Sequence, residues 1–256
     1  MSAIRSELSG IINFHKPVGI TSAKALYRIR SITKQRKSGH AGTLDPGASG
    51  VLVICLGRGT KLVEAVMDMP KVYRTTARLD VTSESHDSDR PLSPVEVARA
   101  PSRAELDGVM HSLEGEILQV PPRISAIKVR GQPAYKRNRA DEPIELAARA
   151  VRVYWLHVHS FDFPRLEFEM CCGRGTYVRS VIRDLGEQLG TGGCLTSLVR
   201  TRVGPFAVGE AWTYAAMESA SPEAYVFGVD RAGEMMAPWR NSVPPRPPSP
   251  HGSKRL

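Results

Sequence analysis

Asp45 is the only acid in the twelve residues Gly39-His40-Ala41-Gly42-Thr43-Leu44-Asp45-Pro46-Gly47-Ala48-Ser49-Gly50. The same stretch holds four glycines, one proline and one histidine, and the apolar run VLVICL (51–56) follows at once. Pro46 pushes the backbone of Asp45 toward extended or polyproline geometry. The glycines permit tight turns and the close approach of a ligand. A carboxylate fixed on such a loop, beside a buried strand, suits a nucleophile or a general acid/base. The local pattern also fits an aspartate that only caps a turn, which is the commoner use of the residue.

No other chemistry competes for attention. The four cysteines, Cys55, Cys171, Cys172 and Cys194, form no CxxC pair. They read as reduced thiols of a cytoplasmic protein and not as a disulfide framework or a zinc site. The formal net charge of +9 favours a polyanionic partner, nucleic acid first and an anionic membrane second. A basic surface that only aids solubility is the plainer alternative. No apolar run reaches the length of a bilayer span. The opening MSAIRSELSG lacks the apolar core of a secretory signal. With 256 residues, 41% hydrophobic and 24% charged, the chain can bury a core in one large domain or two small ones.

The elements that must position Asp45 follow from pattern. GIINF (10–14) reads as a strand, and Thr21-Ser22 as the N-cap of a helix ending near Thr33. VLVICL reads as a strand covered on both faces, followed by a helix over about 60–67. KVYRTTARLD (71–80) is β-rich, and 82–101 reads as a loop. The Ser102…Glu105 spacing predicts a capping box that opens the helix SRAELDGVMHSLEG. Beyond Pro121-Pro122, a strand is expected at 125–129 and a short basic helix at 132–140. Residues 150–163 and 165–172 read as a hairpin. The clearest helix is 176–189, with Val178, Val181, Ile182, Leu185 and Leu189 on one face and Gly190 as its stop. A last strand covers about 194–203. Helices and strands mix without a regular βαβ rhythm, so the expected class is α+β.

The stretch GHAGTLDPGASGVLVICLGRGTK (39–61) resembles the signature of the TruB-type tRNA pseudouridine synthases. Five more blocks are similar to that family and occur in its order: HKPVGITS (15–22), KVYRTTARLDVTSESHDSD (71–89), PPRISAIKVRGQPAY (121–135), GRGTYVRSVIRDLGEQLG (173–190) and LVRTRVGPF (198–206). An ordered set of six is far more specific than one short motif. The resemblance implies a pseudouridine synthase fold, with a central mixed, mostly antiparallel sheet flanked by helices and loops. It implies isomerisation of uridine to pseudouridine, at the T-loop uridine of tRNA (U55), with no metal or cofactor.

The same resemblance implies roles by position. Asp45 is the essential acid acting on the nucleotide. Arg179 is the cation that keeps it ionised where burial alone would neutralise it; a merely solvated helix arginine is the plain alternative. Tyr73 stacks on the flipped target base, unless it is only a packed strand tyrosine. Tyr177 and Leu198 line the substrate pocket, and His40 meets the RNA beside the vacated base position. Lys16 and Arg200 are given RNA-backbone or structural roles, and Lys71, on the strand face of Tyr73, an RNA contact. Phosphate contacts are expected from 34–37, Lys128, Arg130, Lys136, Arg137 and Arg139, giving salt-sensitive binding. The implied partner is tRNA through its T-arm, with no membrane and no obligate protein partner. An RNA chaperone with little catalysis is the second reading, but refolding RNA requires no nucleophile.

The chain departs from the family pattern at His15, Gly47, Ser83-Glu84-Ser85, Ile124 and Val199, where an aspartate, a leucine, Thr-Asp-Thr, a tyrosine and an arginine are usual. The expected organisation is a catalytic domain over 1–209, a short extension over 210–240 too small for a further RNA-binding barrel, and a disordered Pro-rich basic tail over 241–256.

Overall fold

The computed structural model describes residues 8–122, 128–129, 132–133 and 146–248. Of the expected helix at 132–140, residues 132–133 lie in a strand instead; residues 134–140, the side chains of Lys128, Arg130, Lys136, Arg137 and Arg139, Ile124 and the last eight residues lie outside the described residues.

In chain order the strands are β1 (Gly10–Lys16), β2 (Ser38–His40), β3 (Ser49–Leu56), β4 (Lys71–Arg78), β5 (Val81–Thr82), β6 (Ser93–Pro94), β7 (Gly115–Gln119), β8 (Lys128–Val129), β9 (Gln132–Pro133), β10 (Arg149–Asp162), β11 (Arg165–Cys172), β12 (Cys194–Val203), β13 (Phe206–Ala207) and β14 (Phe227–Gly228). The helices are α1 (Ser22–Thr33), α2 (Val63–Asp68), α3 (Arg103–Ser112), α4 (Val178–Leu189), α5 (Tyr214–Glu218), α6 (Pro222–Tyr225) and α7 (Val229–Met236). The class is α+β, as expected. The chain divides into two compact units, residues 1–73 with 199–244, and 74–198 with 245–256.

In the first unit the strand order is β14-β1-β3-β12. β1 and β3 pair antiparallel along their length, from Gly10↔Leu56 to Lys16↔Gly50. Their alternate side chains enter two separate cores. Ile11, Val51, Val53 and Cys55 pack with Val66 of α2 and with Ala232 and Met236 of α7. Ile12, Phe14, Leu52, Ile54 and Leu56 pack with Ala25, Leu26 and Ile29 of α1. Both faces of β3 are therefore covered, which explains why its sequence is apolar without alternation. Each such side chain contributes roughly 1.5–3 kcal/mol by leaving water. The stretch 210–240 packs into this unit through α7, through the β14 edge on β1, and through Met217 and Tyr225.

In the second unit the order is β12-β4-β11-β10-β7. β10 and β11 form the expected hairpin, and β7 pairs antiparallel with β10 from Gly115↔Val153 to Gln119↔Arg149. β7 escapes a reading by pattern because GEILQ is too short to show a period, and the helix before it stops at Ser112. The Ser102–Glu105 capping box is present. The expected loop 82–101 carries the small pair β5–β6. α4 buries Val178, Val181, Ile182 and Leu185, and Gly190 ends it at φ 66. In the tail, Arg246 pairs with Glu114.

Candidate active site

Residues 41–48 connect β2 to β3 at the point where β3 exchanges one partner for another. The last three residues of β3 pair with β2, Ser38↔Leu56 to His40↔Ile54. Its first two pair in parallel with β12, Ser49↔Val199 and Gly50↔Arg200. Gly50 sits at φ +101, and a Cβ there would lie 2.3 Å from the carbonyl oxygen of Arg200. Only glycine allows that approach.

The loop is held at nearly every residue. Ala41 N donates to Val53 O at 2.9 Å, Ala48 N to Asp45 O at 3.1 Å, and Gly19 N to Pro46 O at 2.8 Å. Arg200, only 1% exposed, donates from Nε to Val51 O at 2.7 Å and from Nη2 to Gly42 O at 3.1 Å. Ser22 Oγ accepts from Leu44 N at 2.8 Å and donates to Leu44 O at 2.9 Å. Asp45 itself is half-buried. It is mounted on a fixed frame built from the HKPVGITS block, β3 and β12. A preorganised carboxylate needs no reorganisation when its substrate arrives.

Cations stand behind this loop. Lys16 is fully buried and donates from Nζ to Pro17 O at 2.9 Å and to Ile20 O at 2.8 Å. Burial pushes its pKa down to about 8; the Asp45 carboxylate pulls it upward, and Arg200 presses it further down. Folding therefore lowers a pKa that is 10.5 in the open chain, so the unfolded state binds more protons between those values. Stability contributed by Lys16 rises across that window. Melting temperatures of wild type and Lys16→Met should diverge in favour of wild type as pH is raised from 8 toward 10. His40 is held below its usual range, first by burial and then by Arg200, so its ring is neutral at neutral pH. Its Nδ1 is buried with no hydrogen-bond partner among the described residues.

The first unit thus brings Lys16, His40, Asp45 and Arg200 around one loop. Lys16 and Arg200 both direct donors to internal carbonyls. Lys71 is 6% exposed, and its Nζ donates to Met67 O and to Met69 O, at 2.6 Å for the latter, at the end of α2. Tyr73, 9% exposed, lies two residues along β4.

Tyr177, Arg179 and Leu198 belong to the second unit. Tyr177 is the N-cap residue of α4 and carries no side-chain cap. The buried Gln119 side chain instead holds the backbone of the N-cap residue itself. Its Oε1 accepts from Tyr177 N at 2.8 Å and its Nε2 donates to Tyr177 O at 3.2 Å. The guanidinium of Arg149 lies 5.3 Å from the centre of the half-buried Tyr177 ring. Arg179 is 5% exposed and donates from Nη1 to Ser85 O at 3.3 Å. The turn around Ser85 is closed by hydroxyls. Ser83 Oγ accepts from Asp87 N and donates to Asp87 O, and Ser85 Oγ donates to Asp89 Oδ1 at 2.6 Å. Serines in place of threonines therefore keep every hydroxyl this turn uses. Leu198 is half-buried on β12.

Ser22 and Gln119 are the residues that sequence reasoning missed. A second hydroxyl beside the capping Thr21 was a signal for the first. Nothing local marks the second, whose partner is 58 residues away. Gly47 is exposed, and a Cβ there would meet nothing within 4 Å, so the missing leucine leaves no gap in the described packing.

Comparison with known proteins gives the family. The family model for the N-terminal domain of TruB family pseudouridylate synthases matches residues 30–178. A model for the C-terminal domain of tRNA pseudouridylate synthase B matches 179–225. A tRNA pseudouridine synthase B from Francisella tularensis subsp. novicida is 35% identical over 234 residues, covering 90% of this chain and 76% of that protein. One from Pseudomonas aeruginosa is 39% identical over 220 residues, covering 86% and 72%. Among solved structures, a Cbf5-Nop10-Gar1 complex matches with a TM-score of 0.67 and 26% identity over 88% of this chain and 62% of that one. More than half of the sequence lies within one family model: the chain belongs to the TruB family of pseudouridylate synthases.

Proposed function

We propose that this protein isomerises the T-loop uridine of tRNA (U55) to pseudouridine, with Asp45 acting on the nucleotide. The reaction breaks the bond from uracil N1 to ribose C1′, turns the base, joins C5 to C1′ and releases the C5 proton, while N1 takes up a proton. Neither redox change nor a Lewis acid is required for that balance. A carboxylate serves it either by attacking the sugar or by removing a sugar proton, and both demand an ionised group held at a fixed place. The observation that carries the reading is the anchoring of residues 41–48, which leaves the Asp45 side chain as the part of the loop with chemistry to offer.

Tyr73, Tyr177 and Leu198 are assigned to holding the flipped base, His40 to the RNA beside it, and Arg179 to balancing the charge of the reacting centre. These assignments rest on the family motifs. Lys34, Arg36 and Lys37 are exposed and precede β2, in keeping with phosphate contacts that position RNA without reading its sequence. No helix among the described residues is long and apolar enough to cross a membrane. We place the activity in the cytoplasm, where tRNA matures.

The test uses unmodified tRNA tritiated at uracil C5. Wild-type protein should release one equivalent of tritium per tRNA, and none above background when the T-loop uridine is changed to cytidine. Equal release from both transcripts would overturn the assignment of the target.

A further inference from the structure

Thr21 and Ser22 place two hydroxyls at the start of α1, where a helix cap requires one. Thr21 does the capping, its Oγ1 accepting from Lys24 N at 3.1 Å. Ser22, 2% exposed, turns its hydroxyl away from its own helix and pairs both backbone groups of Leu44. Leu44 is itself 3% exposed, so both groups are withdrawn from water and depend on a protein partner.

Leu44 is the residue before Asp45. The carbonyl of Leu44 and the amide of Asp45 share one rigid peptide plane. Fixing Leu44 O therefore fixes the direction in which Asp45 begins. The far side of Asp45 is fixed too, by Ala48 N on Asp45 O and by Gly19 N on Pro46 O. Both peptides that flank Asp45 are therefore held. Of these anchors, the two on Leu44 both come from a single side-chain oxygen, so one substitution removes them together.

We propose that Ser22 is a positioning residue for the reaction at Asp45, acting through the Leu44 peptide. This rests on the function proposed above. A displacement of about 1 Å at a reacting group costs on the order of 100-fold in rate. The clamp should therefore appear in the chemical step more than in RNA binding.

The experiment compares wild type, Ser22→Ala, Ser22→Thr and Ser22→Cys in single turnover on T-loop tRNA, well below the melting transition. Ser22→Ala should lose about 10- to 100-fold in rate while its tRNA Kd stays within about twofold. Ser22→Thr, which keeps the oxygen, should stay within a few-fold of wild type, and Ser22→Cys should fall between. Hydrogen exchange at the Leu44 amide should quicken in Ser22→Ala and not in Ser22→Thr, with the β1–β3 amides unchanged. An unchanged rate in Ser22→Ala, or a loss matched by weaker tRNA binding, would overturn the proposal. If Ser22→Ala does not fold, the graded order of threonine, cysteine and wild type decides in the same way. Should wild type leave the T-loop uridine unchanged, the proposed function falls, while the exchange comparison still reads whether Ser22 holds Leu44.

Discussion

Arg200→Met should lower the melting temperature by roughly 6–12 °C, a loss of about 3 kcal/mol. The guanidinium lies in the first unit with its donors on the carbonyls of Val51 and Gly42. Methionine fills a similar slot but offers no N–H. Each buried carbonyl left without a donor costs about 1–3 kcal/mol, and relief from burying a charge returns part of that. The damage should reach the reaction as well. Gly42 would lose its tether three residues before Asp45, and turnover measured well below the transition should fall about 100-fold. Arg200→Lys should recover little, because one ammonium cannot reproduce a fork that spans β3 and the loop. Thermal unfolding followed by circular dichroism, with tritium release at 25 °C, checks both parts. A variant that melts with wild type and turns over normally would show that Arg200 does not hold the loop.

Much of this site was legible in the chain. The odd chemistry of GHAGTLDPGASG marked Asp45, and the unbroken apolar run after it marked a strand covered on two faces, as β3 is. The helix at α4 could be read from spacing alone, because its apolar stripe is complete and Gly190 stops it. What could not be read were long-range pairings of side chain with backbone. Arg200 meets Gly42 across 158 positions, and Gln119 meets Tyr177 across 58. Local pattern carries no trace of such contacts, since their partners are backbone groups that every residue possesses. The contacts of the Lys71 ammonium with the carbonyls at the end of α2 also pair side chain with backbone.

Asp45→Asn should abolish turnover, by about 10⁴-fold or more, and leave the protein folded with its tRNA affinity within a few-fold of wild type. The swap is nearly isosteric, and the bonds that hold the loop run to the backbone of Leu44, Asp45 and Pro46, none of which the substitution alters. What it removes is the ionised carboxylate. The most direct measurement is therefore single-turnover conversion of unmodified tRNA by wild type and by Asp45→Asn, with pseudouridine at the T-loop uridine read by mass spectrometry of the T-arm fragment. The expected result is full conversion of that one uridine by wild type and none by the variant at matched tRNA occupancy. Conversion by Asp45→Asn at a rate near wild type would contradict the account.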